Sequence, residues 1–136
     1  MAESRGDSTE ITDGEGPASD AVFVIDELVL RNGQLDAFLS AFASDYRPGA
    51  EARGQRLLHL LVSPPTRALE LPQTVTLLWQ LDGVAGFWGM RSQNAADDVV
   101  AFWAECDARW VESRTRRFAS APESLSAFDA AGRANG

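Results

Sequence analysis

His59 is the residue of this chain best suited to acid–base chemistry. It is the one histidine among 136 residues, and it stands in the middle of the apolar run LLHLL. A neutral imidazole inside an apolar cavity can act as a general base near neutral pH. We therefore predict His59 as a catalytic base. The same position also suits a buried histidine bonded to a backbone carbonyl or water, or an iron ligand of a haem.

Tyr46 and Arg47 are the second pair with chemical potential. They stand at the predicted end of the first helix, directly before Pro48-Gly49, which we expect to stop that helix. A guanidinium there could hold a carboxylate or an enolate, and the phenol could donate a hydrogen bond to it. The alternative is structural, because a helix C-terminus favours a cation and Tyr46 also completes an apolar helix stripe.

Bulky aromatic residues follow in VTLLWQLDGVAGFWGMR, residues 75 to 91. Trp79 alternates with apolar residues of a predicted strand, and it is either a core residue or a pocket wall. Phe87 and Trp88 lie between two glycines, so we interpret GFWGMR as a loop that acts as a lid. We therefore predict Trp79, Phe87, Trp88 and Arg91 as binding residues for a small apolar or aromatic molecule.

Composition narrows the classes of function. Twenty acidic residues against twelve arginines, with no lysine, give a net charge of −8, which disfavours nucleic acid and anionic membranes as partners. One cysteine, Cys106, excludes an internal disulfide, and we interpret it as a packing residue of a helix. With one histidine and one cysteine there is no metal-ligand spacing, and no phosphate-binding loop is present. We therefore expect neither metal nor cofactor.

The chain divides into three predicted parts. Residues 1 to 20 hold six acidic residues but hardly any large aliphatic side chain, so we predict a disordered acidic tail. Residues 21 to 119 form the predicted domain, and residues 120 to 136 a loose C-terminal segment. Neither a secretory signal nor a run long enough to span a membrane is present, which predicts a cytoplasmic protein.

Periodicity predicts an α+β fold with the order β-α-β-β-α and a possible closing strand. The predicted strands cover residues 21–31, 55–63 and 74–81, and residues 114–119 form either a strand or a helix end. The first helix carries an apolar stripe of Leu35, Phe38, Leu39, Phe42 and Tyr46. The second begins near Asn94 with a stripe of Val99, Phe102, Trp103, Cys106 and Trp110. This order is the split βαβ plan, an antiparallel sheet with both helices on one face.

On these elements the chain resembles the ferredoxin-like dimeric α/β-barrel superfamily. The similarity is carried by ELVLRNGQLDAFLSAFASDYRPGAEARG, LLHLLVSPP and VTLLWQLDG, and it favours the NIPSNAP-like and antibiotic-biosynthesis-monooxygenase-like branches. It implies a homodimer in which two sheets close a barrel. The strand side that holds His59 is the more polar one, with Gln55 and Ser63, so we predict that it faces the barrel interior.

Two functions follow from this resemblance and stay open at this point. The first is a cofactor-independent oxygenase, cyclase or isomerase that acts on an aromatic or polyketide-like, enolisable substrate, with His59 as base. The second is a non-catalytic homodimer that binds a small molecule. The superfamily hosts both kinds of protein, so the fold alone does not choose between them.

Overall fold

The structure is a computed structural model that describes residues 21–67, 70–93 and 96–125. The predicted tail at residues 1–20, the predicted cap at Asn94 and most of the C-terminal segment lie outside these ranges. The strands are β1 (Val22–Leu30), β2 (Arg56–Ser63), β3 (Gln73–Leu81) and β4 (Val111–Ser120). The helices are α1 (Leu35–Ala41), a π-helical segment (Phe42–Tyr46), α2 (Arg47–Ala52), α3 (Gly83–Gln93) and α4 (Asp97–Arg109).

In the described part of the chain the strands form one antiparallel sheet with the order β2-β3-β1-β4. Strands β2 and β3 pair with each other as a hairpin, and β4 is the closing strand that the sequence left open. The helices pack on one side of this sheet, so the predicted α+β ferredoxin-like fold is confirmed. The other side of the sheet, which we call the uncovered face, has no helix of the described chain against it.

Alternation along the two central strands separates the faces. In β1 and β3 every second residue is buried, and the residues between them are half-buried. The buried set of β1 includes Val24, Asp26 and Leu28, which point toward the helices. Phe23 and Ile25 lie on the uncovered face. Side chains that alternate in this way fix the register of the sheet, since a slip by one residue would exchange the faces.

The first helical region continues past the point where Pro48-Gly49 was expected to end it. Residues 47–52 form α2, which directly follows the π-helical segment. There the N–H of Arg47 bonds to the carbonyl of Phe42, five residues before it, which is the hydrogen-bond spacing of a π-helix. Pro48 therefore falls in the first turn of a new α-helical register, where its missing N–H removes no bond. The predicted stop at this dipeptide is wrong.

The wider π-helical turn also keeps aromatic residues in one column. Residues four apart on an ordinary α-helix drift by about 40° per step, because 3.6 residues make a turn. Here Phe38, Phe42 and Tyr46 remain stacked, with ring centroids 5.8 Å and 5.9 Å apart, and all three are buried. The column lies against the sheet, where Phe42 approaches Trp79 to 5.9 Å.

The glycine-rich segment after β3 is a helix and not the loop that its composition suggested. Gly83 takes a φ of 64°, which permits the sharp turn from β3 into α3. Phe87 and Met90, three residues apart, are buried on the side that faces the core. Glycines lower helix propensity by up to about 1 kcal/mol each, but burial of these side chains outweighs that cost. The predicted loop is therefore wrong for this segment.

Helix α4 matches the predicted stripe and places Cys106 in the core. Val99, Phe102, Trp103 and Cys106 are buried, and Trp110 packs against them. Burial raises the pKa of the Cys106 thiol from 9.0 to about 12, although Arg114 acts in the opposite direction. The thiol is therefore a packing group in this structure, as the sequence predicts.

This burial makes the reactivity of Cys106 predictable. A pKa of about 12 in place of 9.0 lowers the thiolate fraction about 1,000-fold near pH 8, and the thiolate is the nucleophile. We expect a disulfide reagent to label the folded chain at least roughly 100-fold more slowly than the same chain unfolded in denaturant. Labelling of the folded chain at the rate of the unfolded control would contradict the buried position.

Candidate functional site

Tyr46 lies inside the protein and not at the mouth of a cavity. Because the helix continues into α2, its side chain is 2% exposed and sits between the helices and the sheet. Its ring centroid is 4.8 Å from Phe102, 5.1 Å from Trp103 and 6.1 Å from Trp79. Trp79 is fully buried at the same place. Trp79 is a core residue in this structure, which is one of the two alternatives that the sequence left open.

Arg47 does not share a site with Tyr46. Arg47 follows Tyr46 on the helix and turns away from the core. Its Nε lies 3.1 Å from Glu51 in an exposed i,i+4 ion pair. Such surface pairs contribute little free energy. The expectation that both residues hold one ligand group assumed a helix that ends at Arg47, and the continuing helix separates them.

A buried ion pair that the sequence did not identify lies near Tyr46. Asp26 accepts hydrogen bonds from the Nε and Nη2 of Arg116, at 2.6 Å and 2.9 Å, and from the indole nitrogen of Trp79 at 3.0 Å. Burial acts against the charge on Arg116, but Asp26 more than offsets it and the nearby Tyr46 hydroxyl adds to the effect, so the pKa of Arg116 lies above its usual value. Asp26, a charged residue on the buried side of β1, is thus paired with a guanidinium.

A second arginine extends this pair along β4. Arg114 lies on the same side of β4 as Arg116, and both guanidinium groups stack on Trp103, at 4.8 Å and 5.9 Å from the ring centroid. Arg114 holds Asp107 through two hydrogen bonds, which lower the pKa of that carboxyl. Asp26, Trp103 and the two arginines border a cavity of about 20 Å³, which has room for about one water molecule.

A signal for these arginines was present in the sequence. Arg114 and Arg116 stand two apart in RTRR, so any strand there places both on one side. Asp26 stands two residues from Val24 and from Leu28, which marks it as a carboxylate on an apolar side. Had residues 111–120 been assigned to a strand beside β1, Asp26 and the arginines would have been expected to meet. The sequence left that segment open between a strand and a helix end.

His59 lies on the uncovered face, so the sheet separates it from Tyr46. In the register it pairs with Leu78, which pairs with Ile25, which pairs with Arg117. The pairing shifts between Leu57, opposite Trp79, and His59, opposite Leu78, and such a bulge re-aims the side chains that follow it. His59 is exposed in the single chain. Its catalytic role remains a prediction.

The bulge also separates residues of β2 that strict alternation would have put on the same side as His59. Leu57 pairs with Trp79 and packs against the core, whereas Leu61 and Ser63 lie on the uncovered face with His59. Strict alternation would have put all four on one side. The extra residue, Leu58, accounts for the difference.

Phe87 lines an apolar pocket at the end of the sheet. The pocket has a volume of about 280 Å³, and its lining consists of Val22, Phe87, Phe118, Ala119, Ser120 and Leu125. We call it the Phe87 pocket. Phe87 meets Phe118 edge to face at 4.9 Å and Trp88 at 5.0 Å, and Trp88 packs against the core. Arg91 lies in α3, and its side chain is outside what the structure describes.

The described ranges hold neither a metal-ligand cluster nor a membrane-spanning helix. No group of three or more histidine, cysteine, aspartate or glutamate side chains there could hold a metal ion. None of the helices in those ranges is long and apolar enough to cross a membrane.

The fold has counterparts among solved structures. A NIPSNAP family protein of unknown function from Agrobacterium tumefaciens superposes with a TM-score of 0.60 at 13% identity, covering 76% of this chain and 89% of that one. The chain has a NIPSNAP-like fold. An uncharacterised NIPSNAP domain protein from Burkholderia xenovorans gives a TM-score of 0.57 at 17% identity, over 74% of this chain and 93% of that one.

The second branch that the sequence resembles is also represented. A Caulobacter crescentus protein, provisionally assigned as an antibiotic biosynthesis monooxygenase, superposes with a TM-score of 0.55 at 12% identity, over 76% of this chain and 91% of that one. No family model matches the chain, and neither does any curated protein sequence. At these identities the structural matches show the fold, and the resemblance stated from the sequence is confirmed at that level.

Asp26 and Asp107 bind arginine in the same way, but one is buried and the other exposed. We therefore expect their replacement by asparagine to lower the free energy of unfolding by different amounts. Asp26→Asn leaves the Arg116 charge in the interior without its counter-ion, which costs about 3–5 kcal/mol of unfolding free energy. Asp107→Asn removes an exposed partner of Arg114, and we expect about 1 kcal/mol or less. Urea unfolding of both variants measures the difference. Equal losses would mean that Asp26 and Arg116 are hydrated and contribute no more than a surface pair.

Proposed function

We propose that this protein binds a small apolar or aromatic molecule in the Phe87 pocket and works as a homodimer. The observation that carries the proposal is the lining of that pocket, which apart from Ser120 consists of aromatic and aliphatic residues. The resemblance to the α/β-barrel superfamily, whose members bind molecules of this kind, supports it. The separation of His59, Tyr46 and Arg47 favours a binding protein over an enzyme built on these three residues.

The size and chemistry of the Phe87 pocket suit a molecule of one or two rings. Its volume of about 280 Å³ is close to the lower end of ordinary ligand pockets, which begin at about 300 Å³. Phe87 and Phe118 offer a ring edge and a ring face at right angles, the arrangement that aromatic groups prefer. The Ser120 hydroxyl already donates to the carbonyl of Ala21 at 2.9 Å, so the pocket selects for apolar surface.

The uncovered face supports the dimer. Phe23, Ile25, Val29 and Leu78 are half-exposed there, and Leu61 is 58% exposed. Apolar patches of this kind on a sheet are normally covered by protein. A second copy supplies the same face, and a two-fold pairing of identical patches is the commonest form of self-association.

A second candidate is a proton-transfer enzyme that needs no cofactor, as first expected from the sequence. The observation in its favour is the row that joins His59 to Leu78, Ile25 and Arg117 across the uncovered face. In a dimer closed through this face, the imidazole and the guanidinium would stand between two sheets, away from bulk water. There His59 could take a proton from an enolisable substrate while Arg117 stabilises the resulting anion. The substrate would be aromatic or polyketide-like.

The dimer can be tested by light scattering. We expect about twice the chain mass of 14.7 kDa at micromolar concentration. Ile25→Asp places a charge in the middle of the uncovered face and should give monomers, because an unpaired charge is costly to bury. Val100→Asp is the matched control, since Val100 is 55% exposed on α4, on the other side of the molecule. A monomeric wild type, or equal effects of both substitutions, would remove this interface.

The ligand can be tested with 2-naphthol as a two-ring probe in calorimetric titrations. We expect binding, and a dissociation constant raised about 10-fold by Phe118→Ala, since a buried ring contributes about 1–2 kcal/mol. Val100 is an exposed apolar residue outside the pocket, so Val100→Ala should leave the dissociation constant unchanged. If Phe118→Ala binds as well as the wild type, the pocket is not the site.

His59→Ala separates the binding protein from the enzyme. Because His59 lies on the uncovered face, the variant should bind 2-naphthol with the wild-type constant. In the enzyme, it should lower turnover of an enolisable substrate about 10²–10⁴-fold, the usual effect of removing a general base. Unchanged turnover in this variant would exclude the second candidate.

A further inference from the structure

Ser120 adds a polar group to the otherwise apolar wall of the Phe87 pocket. Of the six described residues that line this pocket, only Ser120 has a polar side chain, and none of the six is ionisable. A charged ligand would therefore lose its hydration without gaining a counter-ion from these residues, so a neutral molecule suits the pocket better. Within this lining, a hydrogen bond between a ligand and a side chain must involve the Ser120 hydroxyl.

The sheet register places the Ser120 side chain on the same face as the aromatic rings of the pocket. Ser120 pairs with Val22 across β4 and β1, and cross-strand partners point to the same face, which for the buried Val22 is the helix side. Phe118 precedes Ser120 by two residues and shares that face, where its ring meets Phe87. Ser120 is half-buried, so part of it remains open to a molecule in the pocket.

The one proton of the Ser120 hydroxyl is already committed. It is donated to the carbonyl of Ala21 at 2.9 Å, and the direction of this bond is fixed because a carbonyl oxygen has no proton to give. A serine hydroxyl has one hydrogen and two acceptor lone pairs. While the bond to Ala21 holds, Ser120 can accept a hydrogen bond from a ligand but cannot donate one.

The position of Ala21 opposes rotation of this hydroxyl toward a ligand. Ala21 is buried, at 6% exposure, directly before β1. If the Ser120 proton turned away, the Ala21 carbonyl would lose this donor, and a buried polar group without a partner is costly. An acceptor atom on a ligand would therefore have to compete with a carbonyl that is already in place.

We infer that Ser120 makes the Phe87 pocket selective for neutral aromatic molecules that carry a hydrogen-bond donor, such as a phenol O–H or a ring N–H. A molecule of the same shape that has only an acceptor, such as a furan oxygen, would face the lone pairs of Ser120 and gain no bond. This inference rests on the binding function proposed for the pocket. It adds the chemical class of the ligand and the residue that selects it.

The test compares indole with benzofuran in calorimetric titrations. The two molecules have nearly the same size and shape, but indole presents an N–H where benzofuran presents an oxygen. Benzofuran is the less polar of the two, so burial of apolar surface alone would favour it. We expect the wild type to bind indole about 5-fold more tightly, which is the net effect of about one hydrogen bond. This comparison needs no variant, so it stays decisive if a substitution impairs folding.

Two variants identify the acceptor. Ser120→Ala removes the oxygen and should bind benzofuran at least as tightly as indole, whereas Ser120→Thr keeps a hydroxyl and should keep the preference for indole. The ratio of the two dissociation constants is compared between proteins, because a change in pocket shape affects both molecules alike. Ser113→Ala is the matched control, since Ser113 is an exposed serine of β4 outside the lining, and it should leave the ratio unchanged.

The outcomes separate this inference from the function on which it rests. If the wild type binds both molecules equally, or benzofuran more tightly, and Phe118→Ala weakens both, the pocket binds ligands but Ser120 does not select them. A preference for indole that survives Ser120→Ala assigns the acceptor to another group and also overturns the inference. A wild type that binds neither molecule would remove the proposed binding function together with the selectivity.

Discussion

The sheet has two faces, and in the described chain the helices cover one of them; every other feature of the molecule depends on this asymmetry. Successive side chains of a strand point to opposite faces, so β1 sends Val24 and Leu28 into the core and Phe23 and Ile25 to the uncovered face. The two faces then differ in chemistry. The helix side is closed by aromatic packing, whereas the uncovered face keeps apolar side chains half-exposed beside His59 and Arg117.

Arginine is the means by which this small protein places charge on the closed side. All twelve basic residues are arginines. Among the described ones, Arg53 lies over Tyr46, and Arg114 and Arg116 lie over Trp103. A guanidinium is planar and weakly hydrated, so it can stack on a ring while its edge holds a carboxylate. Lysine has neither property. The buried Asp26–Arg116 pair is therefore compatible with a core that is otherwise aromatic.

Much of the fold was predictable because burial and periodicity agree over long segments. β1, β2, β3 and α4 have boundaries within a few residues of those expected, and the stripe of α4 is the predicted one. The site was harder to predict, since its geometry depends on local departures from regular structure. One extra residue at Leu58 puts His59 on the opposite face from Leu57, and one π-helical turn lets Pro48 continue a helix. Neither the bulge nor the π-helical turn produces a repeating pattern of apolar residues that could be recognised in the sequence.

The glycine-rich helix α3 shows a different limit. Its intrinsic propensity is low, and its helical state depends on partners that are distant in sequence, such as Phe118 of β4 against Phe87. Propensity is a weak prior where tertiary contacts decide. The same contact creates the Phe87 pocket, so the pocket could not have been predicted before the helix was known. Phe87 was expected to bind a ligand from a loop, whereas the structure places it in a helix.

The two faces also limit how any catalysis could work. A ligand in the Phe87 pocket lies on the helix side of the sheet, and the His59 imidazole lies on the other side. A general base must come within hydrogen-bond distance of the proton that it removes, or reach it through one water molecule. His59 therefore cannot act on a molecule held in the Phe87 pocket while the sheet stays intact. If His59 is a base, its substrate must enter the space between two paired sheets, and catalysis would then require the dimer, whereas binding on the helix side would not.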